Sequence, residues 1–311
     1  MLLVVKSGGP SAVPEWADAF AEFAPQMAVR WWDDPTVAPE QVDYALVWDP
    51  EPGRLAAMPR LKAIFGSGAG VDKILLDPHL PKVPLVRCVP PEGPQRMGEF
   101  ACWAVLSLCK DTRGFALAQA ERRWKSYDPP FAATDRTVGV MGIGAMGIRV
   151  AEMLRALGIP VVGWSRTRKT IPGVETFAGD AERDAFLARS DILICLLPAT
   201  PETDGILAAP LFAKLPRGAG LVQLGRGSQQ VMADIIAALD NGQLSGAVLD
   251  VFEKEPLPAE SPAWLHPKII VTPHAASSPS RRDRARYITA CIAAQQRGEP
   301  LPNLYDPARG Y

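Results

Sequence analysis

The sequence predicts an α/β protein made of two doubly wound parallel-sheet domains, and three observations carry that expectation. The first is the stretch 137–169, where an apolar strand runs into a glycine turn, then a helix, then a second strand. The second is the alternation of short apolar runs with helical patterns both before and after this stretch, the order that builds parallel sheets. The third is length: 311 residues suit two domains of ordinary size, each burying a core of its own.

Taken in order, residues 2–6 (L-L-V-V-K) form a first strand; the apolar run is too short for a signal peptide. A helix over 11–23 follows, then strands at 28–32 and 44–48. The apolar strand 61–65 spills into G-S-G-A-G at 66–70, with a helix expected over 71–76 and a short strand over 84–89. This alternation predicts a smaller, flavodoxin-like domain with no phosphate fingerprint of its own. Beyond a Pro-rich joint at 91–94, a long helical pattern spans 97–124. Its first half is apolar nearly all round (Phe100, Trp103, Ala104, Leu106, Leu108), which suits a place between domains or in a subunit interface. Its second half, with Glu121, Arg122, Arg123 and Lys125, returns to solvent.

The stretch 138–147 reads V-G-V-M-G-I-G-A-M-G and contains Gly142-x-Gly144-x-x-Gly147. Val150, Leu154 and Leu157 then fall at helical spacing, Gly158 and Pro160 stop the helix, and 160–164 gives the second strand. In that setting the first glycine makes a tight turn, the second lets a pyrophosphate approach the backbone, and the third packs helix on strand. Ala145 and Met146, between the glycines, open the helix whose N-terminal N–H groups attract an anion. A nucleotide-binding Rossmann domain follows, with further strands at 191–197, 220–224, 247–252 and 269–272 and a helix at 232–239. The last helix, 282–297, is expected to return to the first domain. The expected division is therefore 1–98 with 281–311 for the substrate domain and 99–280 for the nucleotide domain.

Composition narrows the partners. A formal net charge of −1 without a basic cluster gives no field to attract nucleic acid or an anionic membrane. No run of about 18 apolar residues suits a membrane span. The five cysteines are scattered with no C-x-x-C, which reads as buried free thiols in a reducing cytoplasm rather than a disulfide framework or a metal site.

In a doubly wound sheet, ligands bind beyond the carboxyl ends of the strands. That rule selects Leu197-Pro198 after one strand, Leu224-Gly225-Arg226-Gly227 after the next, Glu255 beyond the strand ending at Phe252, and His274 after Val271-Thr272-Pro273. Taken singly, His274 suits a structural histidine as well as a catalytic one, Glu255 suits a solvated loop, and Arg226 suits a turn. His79 and His266 lie in proline-flanked loops and read as surface residues. Asp250, inside A-V-L-D-V-F, needs a partner and is expected at the strand end near the nicotinamide. The convergence of Arg226, Glu255 and His274 at one sheet edge is stronger than any one of them. Reduction of a 2-oxo acid needs a proton donor, suited to a histidine; a carboxylate that orients it and favours its charged form; and a guanidinium for the substrate carboxylate or keto oxygen. Backbone N–H groups of Gly68, Ala69 and Gly70 are candidates to hold the substrate carboxylate. Trp48 suits a pocket wall and a core position equally.

The end of the second nucleotide-domain strand speaks to the cofactor. NAD-binding forms place an acid about 20 residues past the glycines to hold the ribose 2′-hydroxyl. Here that place reads Trp164-Ser165-Arg166-Thr167-Arg168-Lys169, with no acid. Two arginines, a lysine and two hydroxyls would instead receive a 2′-phosphate, so NADP(H) is expected.

The motifs T-V-G-V-M-G-I-G-A-M-G, L-P-A-T-P-E-T (197–203), L-G-R-G (224–227), L-D-V-F-E-K-E-P-L-P (249–258) and T-P-H-A-A (272–276) together resemble the D-isomer-specific 2-hydroxyacid dehydrogenases, over essentially the whole chain. Residues 164–169, Val71-Asp72 and the ending A-R-G-Y (308–311) look like the bacterial glyoxylate/hydroxypyruvate reductase A branch. The resemblance implies catalytic Arg226, Glu255 and His274, and a homodimer built mainly through the nucleotide domain. It also implies NADPH-dependent reduction of small 2-oxo acids, glyoxylate and hydroxypyruvate foremost. The chain departs from the family pattern at Leu224-Gly225, where a Val-Ala or Thr-Gly pair is frequent, at Gln229-Gln230, where apolar residues are more usual, and in the loop 90–95. Two other readings exist within the fold: a nucleotide-sensing, non-catalytic protein, which the intact Arg, Glu and His set disfavours, and a dehydrogenase of a different donor such as formate, whose family members carry glutamine where Glu255 stands.

Overall fold

A computed structural model describes residues 1–128 and 131–307; the A-R-G-Y ending at 308–311 lies outside them. The chain divides into two compact units, Met1–Glu92 joined by the chain from Ser278 onward, and Gly93–Ser277. These cuts fall a few residues before the sequence-based ones at 98/99 and 280/281. The second unit begins and ends at one place, because the Ser277 hydroxyl donates to the Gly93 carbonyl at 3.0 Å.

In the first unit, strands β1 (Leu2–Lys6), β2 (Ala28–Trp31), β3 (Tyr44–Val47), β4 (Ala63–Gly66) and β5 (Leu85–Val86) form one sheet in the order β2-β1-β3-β4-β5. Every pairing within it is parallel. β3 and β4 are buried at every residue, as strands covered on both faces must be. Helix α1 (Val13–Phe23) buries Trp16, Ala19 and Phe20 in the same core as Ala285, Ile288, Cys291 and Ile292 of the last helix. The segment 71–76 is no α-helix; only a 3-10 turn, Ile74–Leu76, forms. Asp77 explains the short turn: its buried carboxylate accepts the N–H groups of Gly53 (2.9 Å) and His79 (2.8 Å), and Pro78 bars further helix.

The long pattern expected over 97–124 is two helices, α2 (Glu92–Cys109) and α3 (Thr112–Ala120). α2 starts earlier because Pro94 falls in its first turn, where a missing N–H costs nothing. The break is at Asp111, which adopts the left-handed conformation (φ 52°) and caps α3 by accepting from Gly114 N at 3.2 Å.

The second unit holds β6 (Val138–Met141), helix α4 (Ala145–Ala156), β7 (Val161–Ser165), β8 (Glu175–Ala178), α5 (Gly179–Ala188), β9 (Ile192–Cys195), α6 (Ala209–Phe212), β10 (Ala219–Gln223), α7 (Met232–Asp240), β11 (Leu244–Leu249) and β12 (Ile269–Val271). Its seven parallel strands run β12-β11-β10-β9-β6-β7-β8, so the strand order reverses between β6 and β9. A crevice beyond the carboxyl ends at such a switch point is where this architecture binds dinucleotides. β8 carries no apolar run, because as an edge strand it is nowhere fully buried. β11 starts and ends about three residues before the expected 247–252, so Asp250 to Phe252 already belong to the loop. Helix α8 (Arg281–Gln296) closes the chain's fold within the first unit. It begins with a capping box in which Ser280 Oγ accepts from Asp283 N and the Asp283 carboxylate accepts from Ser280 N.

Candidate active site

The glycine turn between β6 and α4 shows three different constraints. Gly142 sits at φ 109°, and a Cβ there would lie 2.7 Å from the Leu196 carbonyl oxygen. A Cβ on Gly147 would lie 2.2 Å from the Gly142 carbonyl oxygen, so this glycine is what brings α4 onto the turn. Gly144 is different: a Cβ there would meet nothing within 4 Å. It is the N-cap of α4, and the exposed Ala145 and half-buried Met146 follow as the helix's first residues, with N–H groups that have no intrahelical acceptor. Open space in front of a helix N-terminus, closed on its other sides by two obligatory glycines, fits a pyrophosphate.

At the end of β7 the basic run is exposed, but its members differ. Arg168 is engaged by the protein itself: it donates to the Thr176 carbonyl at 2.6 Å and pairs with Glu182 of α5. Ser165 donates to the Thr167 carbonyl at 2.7 Å, which turns the chain back. The charge of Arg166 reaches Glu202, in the loop after β9, and helps to hold its carboxyl below the ordinary value, after the hydrogen bond from Thr200 and a backbone N–H.

The loops after β9 and β10 are tied together by two glutamines with no exposed surface, Gln223 and Gln229. Gln229 Oε1 accepts from Arg226 N at 2.8 Å, while its Nε2 donates to the carbonyls of Leu197 and Pro198, both at 2.9 Å. Gln223 Nε2 donates to the Arg226 carbonyl at 2.9 Å, and its Oε1 accepts from Gly225 N at 3.1 Å. The Leu197 and Leu224 side chains are buried in the core, so those two positions offer a ligand their backbone only. A Cβ on Gly227 would lie 1.8 Å from the Phe252 carbonyl carbon, so glycine there lets the β10 and β11 loops touch.

Beyond β11, Asp250 is 1% exposed. It follows directly on the end of β11, and its partners lie in the loop that carries His274. Oδ1 accepts from Thr272 Oγ1 (2.7 Å) and Ala275 N (2.8 Å), and Oδ2 accepts from Ala276 N (2.9 Å). The Asp250 carbonyl also accepts from His274 N at 2.8 Å. His274 is thereby held at φ 52°, a left-handed conformation uncommon outside glycine. Its ring Nδ1 lies 2.9 Å from Glu255 Oε2, and Glu255 Oε1 accepts from Phe252 N at 2.9 Å. Burial alone would raise the Glu255 carboxyl, but the His274 hydrogen bond, the Phe252 N–H and the charges of His274 and Arg226 together bring it below its ordinary value. The result is an ionised acceptor fixed on one ring nitrogen, with the two side chains still about a third exposed (32% and 30%). With Nδ1 held by Glu255, proton exchange with a ligand falls to the far ring nitrogen, Nε2.

The other two histidines are structural or peripheral. His79 is exposed. His266, expected on the surface, has a side chain only 9% exposed; its Nδ1 accepts from Lys268 N at 3.1 Å and its Nε2 faces Asp240 at 3.4 Å, so it shapes the approach to β12. All five cysteines are free and buried, and no group of metal-ligating side chains occurs among the described residues.

In the first unit, Trp48 follows β3 and the glycine-rich loop follows β4. Trp48 is half-buried over that loop: a Cβ on Gly68 would lie 3.2 Å from its ring. The Gly68 carbonyl accepts from Cys88 N (3.0 Å) and the Ala69 carbonyl from Arg87 Nε (2.8 Å), which turns both carbonyls toward β5. Gly70 shares the partial exposure of both.

The glycine turn, the reversed strand order and the Arg226, Glu255 and His274 loops together define a nucleotide-dependent dehydrogenase architecture. Residues 102–276 match the family described as D-isomer specific 2-hydroxyacid dehydrogenase, NAD binding domain. The structure of a D-isomer specific 2-hydroxyacid dehydrogenase from Xanthobacter autotrophicus Py2, in complex with NADPH and MES, is 40% identical. It superposes with a TM-score of 0.92, over 100% of this chain and 99% of that one. An NADPH-dependent glyoxylate/hydroxypyruvate reductase from Sinorhizobium meliloti, in complex with NADP and sulfate, is 40% identical with a TM-score of 0.91 over the same shares. A probable 2-hydroxyacid dehydrogenase from Rhizobium etli CFN 42, with NADP, HEPES and L(+)-tartaric acid, is 38% identical with a TM-score of 0.90, over 100% and 99%. The chain belongs to the D-isomer specific 2-hydroxyacid dehydrogenases, and it is an oxidoreductase.

The residues that sequence reasoning missed are the supports. Gln223, in the apolar run L-V-Q-L, carries the signal of a buried amide with a partner, whereas Gln229, in R-G-S-Q-Q-V, shows only as a departure from the family pattern.

Proposed function

We propose that this dehydrogenase reduces small 2-oxo acids with NADPH, with glyoxylate and hydroxypyruvate as its foremost substrates. The observation that carries the reading is the His274–Glu255 pair, 2.9 Å apart, carried at the same sheet edge as Arg226 and the glycine turn. The bound nicotinamide supplies the hydride. His274 protonates the substrate oxygen from Nε2, Glu255 holds the ring by Nδ1, and Arg226 binds the carboxylate or keto oxygen. Asp250 acts through the His274 loop. Gly142, Gly144, Ala145, Met146 and Gly147 hold the pyrophosphate, and Leu197, Pro198, Leu224 and Gly225 meet the cofactor through their backbones. The N–H groups of Gly68, Ala69 and Gly70, with Trp48 beside them, take the substrate carboxylate.

The phosphorylated cofactor is favoured by the absence of an acid after β7 and the presence of Ser165, Arg166, Thr167 and Arg168 there, and the relatives from X. autotrophicus and S. meliloti carry NADPH and NADP. The substrate class is favoured by the S. meliloti reductase. We place the enzyme in the cytoplasm, where free thiols persist. It is a homodimer in this reading: of the nine large exposed apolar side chains among the described residues, all but Leu76 and Leu304 belong to the second unit, and a single-chain mass by light scattering would remove that assignment.

The test is NADPH oxidation followed with glyoxylate and hydroxypyruvate. His274→Ala is expected to lower turnover by about 100-fold to 10,000-fold, the usual contribution of a general acid, while still binding NADPH. Turnover near wild type would dispose of the histidine's role, and failure to oxidise NADPH with either acid would dispose of the substrate class.

A further inference from the structure

Two residues from the segments that depart from the family pattern, Gly225 of the Leu224-Gly225 pair and Gln229, meet in space. A Cβ on Gly225 would lie 2.2 Å from Gln229 Oε1 and 3.0 Å from the Leu197 carbonyl oxygen. The far end of a flexible glutamine ordinarily moves aside at little cost. This one is fixed: it is fully buried, and its carboxamide is bonded to Arg226 N, Leu197 O and Pro198 O, with Gln223 Nε2 at 3.3 Å and Cys195 Sγ at 3.7 Å. Moving it would break bonds to buried partners, at the cost of leaving polar groups unpaired in the interior. The amide therefore spans two strand ends. On one side are the carbonyls after β9, and on the other is the peptide that carries Arg226.

We propose that Gln229 is a positioning residue for the reaction: its buried carboxamide sets where the Arg226 peptide sits relative to the Leu197-Pro198 loop, and Gly225 is glycine to make room for it. The proposal rests on the reading of Arg226 as the substrate-binding cation. Both polar atoms of the Arg226 peptide are then held by side-chain amides, N–H by Gln229 and C=O by Gln223. The side chain leaves a backbone fixed at both atoms, and its Nη1 is further bonded to the Gly225 carbonyl at 2.8 Å. A guanidinium that must meet a small planar substrate tolerates little displacement, because misplacement by about 1 Å can cost on the order of 100-fold in rate.

The experiment compares Gln229→Leu, Arg226→Lys, the double variant and Gly225→Ala in the intact enzyme. It reads kcat and KM for glyoxylate at saturating NADPH, NADPH affinity by fluorescence, and the unfolding temperature. Gln229→Leu is expected to lose about 100-fold in kcat/KM for glyoxylate with NADPH affinity changed less than about threefold. Combined with Arg226→Lys it should add less than about threefold, since both changes remove the same placement. Gly225→Ala should be impaired alone, and adding Gln229→Leu to it should lower kcat/KM less than about threefold further, because both changes displace the same amide. A purely structural glutamine would instead multiply its effect with both Arg226→Lys and Gly225→Ala, and that pattern overturns the proposal. If Gln229→Leu does not fold, Gly225→Ala displaces the same amide from the opposite side, and wild-type activity there is equally fatal. The two readings fail separately: an impaired Arg226→Lys beside an intact Gln229→Leu removes the positioning role alone, whereas an Arg226→Lys enzyme as active as wild type removes the role of Arg226 and the proposal with it.

Discussion

Gly144 and Gly147 stand three residues apart and would respond to an added methyl group in opposite ways. At Gly147 the methyl would overlap the Gly142 carbonyl at 2.2 Å, and α4 would have to lift off the turn. Gly147→Ala should therefore cost about 1–3 kcal/mol of stability, the range for overpacking a close contact. At Gly144 the methyl meets only open space, so Gly144→Ala should unfold close to the wild-type temperature and still bind NADPH about tenfold more weakly, ~1.4 kcal/mol. Thermal unfolding with and without NADPH checks both; a Gly144→Ala protein that keeps full affinity would remove the pyrophosphate from that position. Asp250→Asn belongs to the same scale. An NH₂ facing the Ala275 or Ala276 N–H should cost about 1–3 kcal/mol and loosen the His274 loop, which crystallographic or NMR comparison of that loop would reveal.

At the scale of elements, the basic turn after β7 separates two arginines that look alike in the sequence. Arg168 already has Glu182 and the Thr176 carbonyl, and so part of its work is to hold β8 and α5 to the end of β7. Arg166→Ala is expected to lower the preference for NADPH over NADH more than Arg168→Ala, with Arg168→Ala showing the larger fall in unfolding temperature. The ratio of kcat/KM for the two cofactors in each variant decides it. The same turn shows what was legible beforehand. The absence of an acid and the run of cations could be read from the letters, whereas their division of labour depends on Glu182, fourteen residues away. Strands with apolar, doubly buried runs such as β3, β6 and β9 were readable for the same physical reason that they are central. β8 was not, since an edge strand needs no apolar run. The break at Asp111 was hidden because apolar spacing continues through it, and only a left-handed backbone ends α2. Of the site, the reacting side chains Arg226, Glu255 and His274 could be placed by strand ends, while Gln223 and Gln229 required the fold, because which carbonyls they meet is a long-range fact.

At the scale of the whole molecule, acid should act through carboxyls that folding holds low. Burial would raise Glu51, but its hydrogen bonds from Lys6, a backbone N–H and Trp32, with the Lys6 charge, bring it from 4.5 to about 2. A carboxyl lowered by folding contributes stability that is fully present above the unfolded value and lost as pH falls through the folded one, here between 4.5 and about 2. Glu255, lowered in the same direction, adds to that slope and places part of it in the active-site loop. The Glu51 side chain is 53% exposed, so screening makes its share small. Glu51→Gln should flatten the fall of unfolding temperature in that window and leave it unchanged near neutrality; an equally steep acid limb would show that other carboxyls dominate.

The hydrogen bond from Ser277 to Gly93 closes the nucleotide-binding unit on itself: the chain enters and leaves it through one doorway. Such a unit is a cassette spliced into a host fold. Every side chain here assigned to proton movement, with the support of each, lies inside the cassette, and the loop assigned to the substrate carboxylate lies in the host. In evolutionary terms the two are free to change at different rates: a host rebuilt around a new acid keeps its reducing chemistry by inheriting the cassette whole, through a single pair of adjacent junctions.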